Sequence, residues 1–273
     1  LAAVLFIGAT TFAWGNLPAA EPRWWMLVLV GLIGVPLTIV LNGVEYRLSA
    51  AVLDHVVPMA EALRISVLSS AANLLPIPGA VLVRTRALNR LGARPGSAFA
   101  ATGAIAVAWM GTTFGLAGGL LTLRRPLIGS LCLVGGLACL VVAYLLIHRR
   151  TDRAIELFFR VVLVEASLVV VGAARLLILL AAIGFEADLI QTVALTISGL
   201  VASATGFFPG GLGIRELVIG ALSPLVGLPA SAGVVAAALD RILALAILGV
   251  TAMAFILTER RLNPAVELEE KPD

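Results

Sequence analysis

The chain has 273 residues, a formal net charge of +3 and a pI near 9.4; 60% of its residues are hydrophobic, 13% are charged, and the mean hydropathy is +1.08. A water-soluble domain carries about a quarter charged residues, so this composition lacks the polar surface needed to coat a soluble globule. It predicts an all-α integral membrane protein: a single polytopic domain over residues 1–262 and a polar C-terminal tail over 263–273.

A helix needs about 20 apolar residues to cross the hydrocarbon core. Six stretches read as spans on this basis, the first of them shorter than the rest: Leu1 to about Trp14, Trp24 to Val44, Ser97 to Leu121, Leu127 to Ile147, about Phe158 to Ile183, and Ala230 to Leu257. The first lacks a basic flank and a small-residue cleavage site, so it reads as a transmembrane helix rather than a signal peptide. Two further apolar stretches are broken in the middle. Residues 59–91 run through Asn73-Leu74-Leu75-Pro76-Ile77-Pro78-Gly79, and residues 189–228 through Gly206-Phe207-Phe208-Pro209-Gly210-Gly211-Leu212-Gly213. Proline removes a backbone donor and glycine permits sharp reversal, so each stretch is expected to be a re-entrant helical hairpin.

Charge placement supports this topology, because cytoplasmic loops collect Lys and Arg. With both hairpins re-entrant, one face receives Arg47, Arg84, Arg86, Arg90, Arg94, Arg149, Arg150, Arg153, Arg260 and Arg261. The other receives Arg23, Arg124 and Arg125, with Glu21, Glu186 and Asp188. Both termini are then cytoplasmic, and the bacterial inner membrane is the expected location. Laying Pro76 on Pro209 places Leu74-Leu75 on Phe207-Phe208 and Ser69-Ser70-Ala71 on Ala202-Ser203-Ala204. An odd number of spans separates the hairpins, so they are expected to form an inverted repeat, an architecture that places substrate sites at broken helices near the midplane.

Ionisable residues at membrane depth cost about 2.5–3.5 kcal/mol each on insertion scales and usually face a cavity or a partner. Here they are Glu61, Arg64, Glu165, Arg175, Arg215, Glu216, Asp240 and Arg241. Glu61 and Arg64 have the spacing of a pair on one helix face. Arg215 and Glu216 follow the Gly210-Gly211-Leu212-Gly213 run, so exposed amides, a helix start and a guanidinium could together hold a phosphate. Asp240 and Arg241 point about 100° apart and each needs a partner elsewhere: Glu216 for Arg241, and Arg175 or Arg215 for Asp240. Arg84, with Asn73 nearby across the first turn, is the corresponding candidate in the first hairpin. The full expected headgroup site is therefore Arg215, Glu216, Arg241, Asp240, Arg84, Arg175, Gly210, Gly211, Gly213 and Asn73.

Cys132 and Cys139 share one face of an apolar helix, and His55 and His148 are isolated, so no metal site is expected. Nor is any other cofactor expected. The sequence contains no Gly-x-x-x-x-Gly-Lys, which argues against ATP hydrolysis. All but one of the 19 basic residues are arginine, the exception being Lys271; arginine's planar fork suits phosphate, as in an anionic lipid headgroup.

Through Pro209-Gly210-Gly211-Leu212-Gly213-Ile214-Arg215-Glu216, Asn73-Leu74-Leu75-Pro76 with Gly79 and Arg84, and Arg241, the chain resembles the lysylphosphatidylglycerol synthase transmembrane-region family. That family includes the flippase portion of the multiple peptide resistance factor. The resemblance covers nearly the whole chain and implies two re-entrant helix pairs and movement of phospholipids, or of polyprenyl or glycolipid carriers, between leaflets. The Gly-Asp that often precedes the first-motif arginine is replaced by Ala80-Val81-Leu82-Val83. With no aminoacyl-transferase domain in these residues, lysine transfer onto lipid is not expected.

The leading expectation is a non-enzymatic, flippase-like protein. Its expected partners are an anionic or carrier lipid, the membrane, and either a second copy of the chain or a separate lipid-modifying enzyme. Nucleic acid is not among them. A membrane transferase acting on a lipid-linked substrate and a small-anion transporter are the alternatives.

Overall fold

A computed structural model of the chain describes residues 2–17, 22–73, 79–204 and 213–262. Its elements, in order, are α1 (Ala2–Gly15), α2 (Trp24–Ala51), α3 (Met59–Ala72), α4 (Gly79–Arg90), α5 (Pro95–Leu121), α6 (Pro126–His148) and α7 (Ala154–Ala182). Then come α8 (Leu189–Leu195), α9 (Ile197–Ala204), α10 (Ile214–Leu222), a 3-10 turn (Ser223–Val226) and α11 (Ala230–Leu262). There is no strand among the described residues. Five helices are long and apolar enough to cross a membrane: α2, α5, α6, α7 and the Ala230–Phe255 part of α11. The sequence predicts six; α1, at 14 residues, is about 21 Å long against a hydrocarbon core of about 30 Å.

Local chemistry sets where the helices start and stop. Proline stands in the first turn of both α5 and α6, where its missing N–H costs nothing. At the end of α7, Phe185 N–H donates to Leu180 O at 2.9 Å and Gly184 N–H to Ala181 O, with Gly184 at φ +86°. That is the glycine-terminated cap that satisfies the last carbonyls. α2 contains an irregularity of its own. Pro36 lies inside it and has no N–H to give, and the preceding turn, Val30–Gly34, widens to a π-helix in which Val35 N–H donates to Val30 O.

Packing fixes the two ends of the bundle. At one end, Ala50, Val57, Leu88 and Ala98 share a buried cluster, so the start of α3 and the end of α4 lie together beside the end of α2 and the start of α5. The end of α6 and the start of α7 join them through Val52, Ala101, Ile147 and Ala154. At the opposite end, Arg23 N–H donates to Ala182 O at 2.9 Å, and Leu27, Ala182, Leu228 and Ala232 share a cluster. There Gln191 Nε2 donates to Val226 O at 2.8 Å, joining the start of α8 to the 3-10 turn. The start of α3 and the end of α4 therefore lie at the first end, and the start of α8 and the 3-10 turn at the second. Arg47, Arg90, Arg94, Arg149, Arg150 and Arg153 belong to the first end. Arg124 pairs with Asp188 at the second.

α5 and α6 pack very closely. A Cβ added at Gly118 would sit 2.4 Å from Leu133 N, and one at Gly136 would sit 2.5 Å from Gly115 N. Backbones approach this way where small residues line the contact, which is how apolar helices associate without a hydrophobic drive. The tail, residues 263–273, lies outside the described residues.

Candidate functional site

Three elements converge on one buried charge cluster. α7 supplies Arg175, α11 supplies Asp240 and Arg241, and the first turn of α10 supplies Arg215 and Glu216. Asp240 is the bridge: its Oδ1 lies 2.6 Å from Arg175 Nη2 and its Oδ2 lies 3.1 Å from Arg215 Nη1. Sequence spacing offers Arg175 or Arg215 as its partner; the fold uses both. Arg241 Nε donates to Glu216 Oε1 at 2.8 Å, as the spacing also suggests. Asp240 and Arg241 are neighbours in sequence, yet helix geometry sends them to different partners.

The surroundings hold this arrangement in place. Glu216 is wholly buried, and its second oxygen, Oε2, accepts from Gly213 N–H at 2.8 Å. Gly213 sits at φ +83°, a left-handed conformation that glycine adopts without strain and that starts α10 in the required direction. On the far side, Arg175 Nη1 donates to Thr38 Oγ1 at 3.0 Å. The Arg175 stem lies against Gly34, where an added Cβ would come 2.8 Å from its Cγ. The widened turn of α2 and its glycine thus make the slot in which Arg175 lies.

The cluster has more positive than negative charge. Among the described residues, Arg175, Arg215 and Arg241 face two carboxylates, Asp240 and Glu216, which leaves one positive charge. The guanidiniums are not equally accessible: the Arg215 side chain is 24% exposed, that of Arg175 9%. Arg215 also stands in the first turn of α10. A buried cluster whose arginines outnumber its carboxylates among the described residues, with Arg215 the accessible guanidinium, can take an anion.

The remaining expected site residues fall elsewhere. Gly210 and Gly211 lie outside the described residues. Gly213 and Asn73 are spent on their own turns: Gly213 N–H is taken by Glu216, so it is not offered to an anion. Asn73 Oδ1 accepts Ala80 N–H at 2.9 Å, tying the two arms of the first pair together. Glu216 neutralises Arg241 and, by accepting from Gly213 N–H, caps the start of α10. Arg84 is not with the others; it makes a bidentate pair with Glu45, Nη1 to Oε1 at 2.7 Å and Nη2 to Oε2 at 3.0 Å. Glu61 and Arg64 do pair, at 3.6 Å, with side chains nearly half exposed.

Sequence reasoning missed Glu45, Thr38 and Gly34. Glu45 follows the Trp24–Val44 stretch directly and has Arg47 two residues on, so the only signal for it was a carboxylate at the edge of an apolar span. Thr38 and Gly34 carry no charge and show themselves only through what packs on them. Cys132 and Cys139 are free thiols on α6. No group of three or more His, Cys, Asp or Glu is placed to hold a metal among the described residues. The chain matches no family model and no curated protein sequence.

Proposed function

We propose that the chain binds the phosphate of an anionic lipid headgroup at Arg215 and carries it between leaflets. The observation that supports this most directly is the unbalanced buried cluster. Asp240 holds two guanidiniums by opposite oxygens, an arrangement that a phosphate can share. Arg215, the more exposed of the two, exchanges Asp240 for the headgroup phosphate, while Arg175 keeps the carboxylate and Thr38. The added negative charge then neutralises the cluster, and the acyl chains stay in lipid.

In this reading the two broken helix pairs are re-entrant hairpins of an inverted repeat, opening on opposite sides of a bacterial inner membrane with both termini cytoplasmic. Two sets of elements follow the same order of long helix, broken pair, long helix: α2, α3/α4 and α5 in one, α7, α8–α10 and α11 in the other. Rocking of one set against the other would expose the site to alternate faces. The turn of α2 at Pro36, against which Arg175 lies, is a natural place for that motion to reach the site, since π turns and prolines are where helices bend. The resemblance of the Pro209–Glu216 run to the lysylphosphatidylglycerol synthase transmembrane region supports the same reading.

The test is lipid movement in vesicles containing the purified chain, with lipid carried through gentle purification identified by mass spectrometry. Arg215→Ala is expected to lose both the movement and the copurifying anionic lipid while unfolding at nearly the wild-type temperature. Unchanged movement in that variant refutes the assignment. Movement of free phosphate without lipid would point to a small-anion transporter instead.

A further inference from the structure

Glu165 plays no part in the site above. It lies near the middle of α7 at 1% exposure, and its Oε1 has no hydrogen-bond partner. Packing defines its neighbours. Leu48 of α2 packs on the cluster that holds Val161 of α7. The two helices run antiparallel, so about one turn beyond these residues Glu45 and Glu165 reach the same level on adjoining helices. Glu45 is in turn held by both terminal nitrogens of Arg84.

Among the described residues, the charged groups that face Glu165 are Glu45 from α2 and Arg84 from α4. Tyr46 lies beside Arg84. On α5, Thr112 and Thr113 are at the same depth, because Ala108 packs with Val161 on one side of them and Ala117 with Val169 on the other. Both threonine hydroxyls lack partners. They add polarity but no charge. Among the described residues, α6, α8 and α11 bring no charged side chain to Glu165.

One guanidinium therefore serves two buried carboxyls, and its two terminal nitrogens are already spent on one of them. An ionised Glu165 would leave an uncompensated negative charge at membrane depth, where a carboxyl keeps a proton instead. We infer that Glu165 is a proton-binding site linked to the Arg84–Glu45 pair, with the proton on whichever carboxyl Arg84 does not hold. Loading breaks one O–H bond of a hydronium ion and forms one on Glu165, leaving water; no electrons change hands. Unloading is the reverse step, in which the Glu165 O–H bond breaks and water takes the proton to re-form hydronium; if Arg84 turns from Glu45 to Glu165 instead, the proton moves from Glu165 to Glu45 and stays within the pair.

The experiment is infrared spectroscopy of the full chain in lipid discs, titrated from about pH 5 to about pH 9 in potassium buffer. A protonated-carboxyl band is expected near neutral pH and is expected to be lost in Glu165→Gln. Glu165→Asp should shift the band rather than remove it. Glu45→Gln keeps Glu165 but frees Arg84 for it, so the band should disappear there as well. Absence of the band from the wild type, or its survival in Glu165→Gln, overturns the site. Its persistence in Glu45→Gln overturns the linkage. Loss of the band when sodium replaces potassium at fixed pH would mark a sodium site and overturn the proton assignment. The readout needs no transported lipid, so it succeeds or fails independently of the headgroup reading.

Discussion

The two buried charge clusters use the same kinds of side chain with opposite balance. Among the described residues, three arginines face two carboxylates around Asp240, and two carboxylates face one arginine around Arg84. The clusters are about 15 Å apart along α7, at 1.5 Å per residue from Glu165 to Arg175. Each has a charge to spare, and that surplus sets what it can do. The arginine-rich cluster can take an anion, and the carboxylate-rich one can take a proton. The same count sets how each responds when a cation is removed. Among the described residues, Asp240 loses one of two partners, whereas Glu45 loses its only one.

The largest expected effect follows from that asymmetry. Arg84→Gln leaves buried carboxyls without a cation and should cost about 3–5 kcal/mol in equilibrium unfolding, the usual result of breaking one side of a buried pair. Adding Glu45→Gln should recover part of the loss; a double variant no more stable than the single one would show that the pair is not the unit.

Arg215→Ala sharpens the contrast. In the proposed reading its contact with phosphate would be worth about 1.5–3 kcal/mol as a charge-assisted bond, so anionic headgroup binding should weaken roughly 10- to 100-fold. Unfolding should shift by about 1 kcal/mol or less, because the side chain is partly exposed and Asp240 keeps Arg175. A stability loss as large as that of Arg84→Gln would erase the distinction between the clusters.

A smaller effect tests the slot that holds Arg175. Gly34→Ala puts a methyl 2.8 Å from Arg175 Cγ and 3.1 Å from Cδ. The stem is pinned at its far end by Thr38 and Asp240, so it cannot simply swing aside. Overpacking of this kind costs about 1–3 kcal/mol and should weaken headgroup binding along with stability.

The smallest expected effect lies outside both clusters. Burial pushes the Asp188 carboxyl up, but the Gln191 amide and the Arg124 guanidinium outweigh that and hold it below the usual carboxylate range. A depressed folded value means that its stabilisation is present above the unfolded value and lost as pH falls through the folded one. Asp188→Asn should therefore remove a pH dependence below about pH 4 while changing stability near neutral pH by less than about 1 kcal/mol, the side chain being nearly half exposed.

Much of this was legible in the chain itself. The spans at Trp24, Ser97, Leu127, Phe158 and Ala230 follow from runs of apolar residues, because a helix in lipid must satisfy its own backbone. The expected breaks at Pro76 and Pro209 rest on missing donors and permissive backbones, and both prolines lie outside the described residues. The pairing of Arg241 with Glu216 was also foreseeable, since a buried charge demands an opposite one and few were available. Glu45 shows the weakness of that reasoning. With Arg47 close behind it, it reads as the polar end of a span. Arg84, in turn, reads as one member of an arginine-rich stretch.

The sequence alone determined that the chain is helical, that its long apolar segments seek lipid, and that a handful of ionisable residues must be partnered inside. These depend on composition and on short-range periodicity, which neighbouring residues fix among themselves. Only the tertiary structure decided which partners meet: that Asp240 bridges two arginines, that Arg84 is shared out to Glu45 with Glu165 left over, and that Gly34 makes room for Arg175. Those outcomes depend on how helices far apart in sequence are rotated and staggered against one another, and that is set by the packing of whole faces rather than by any local pattern.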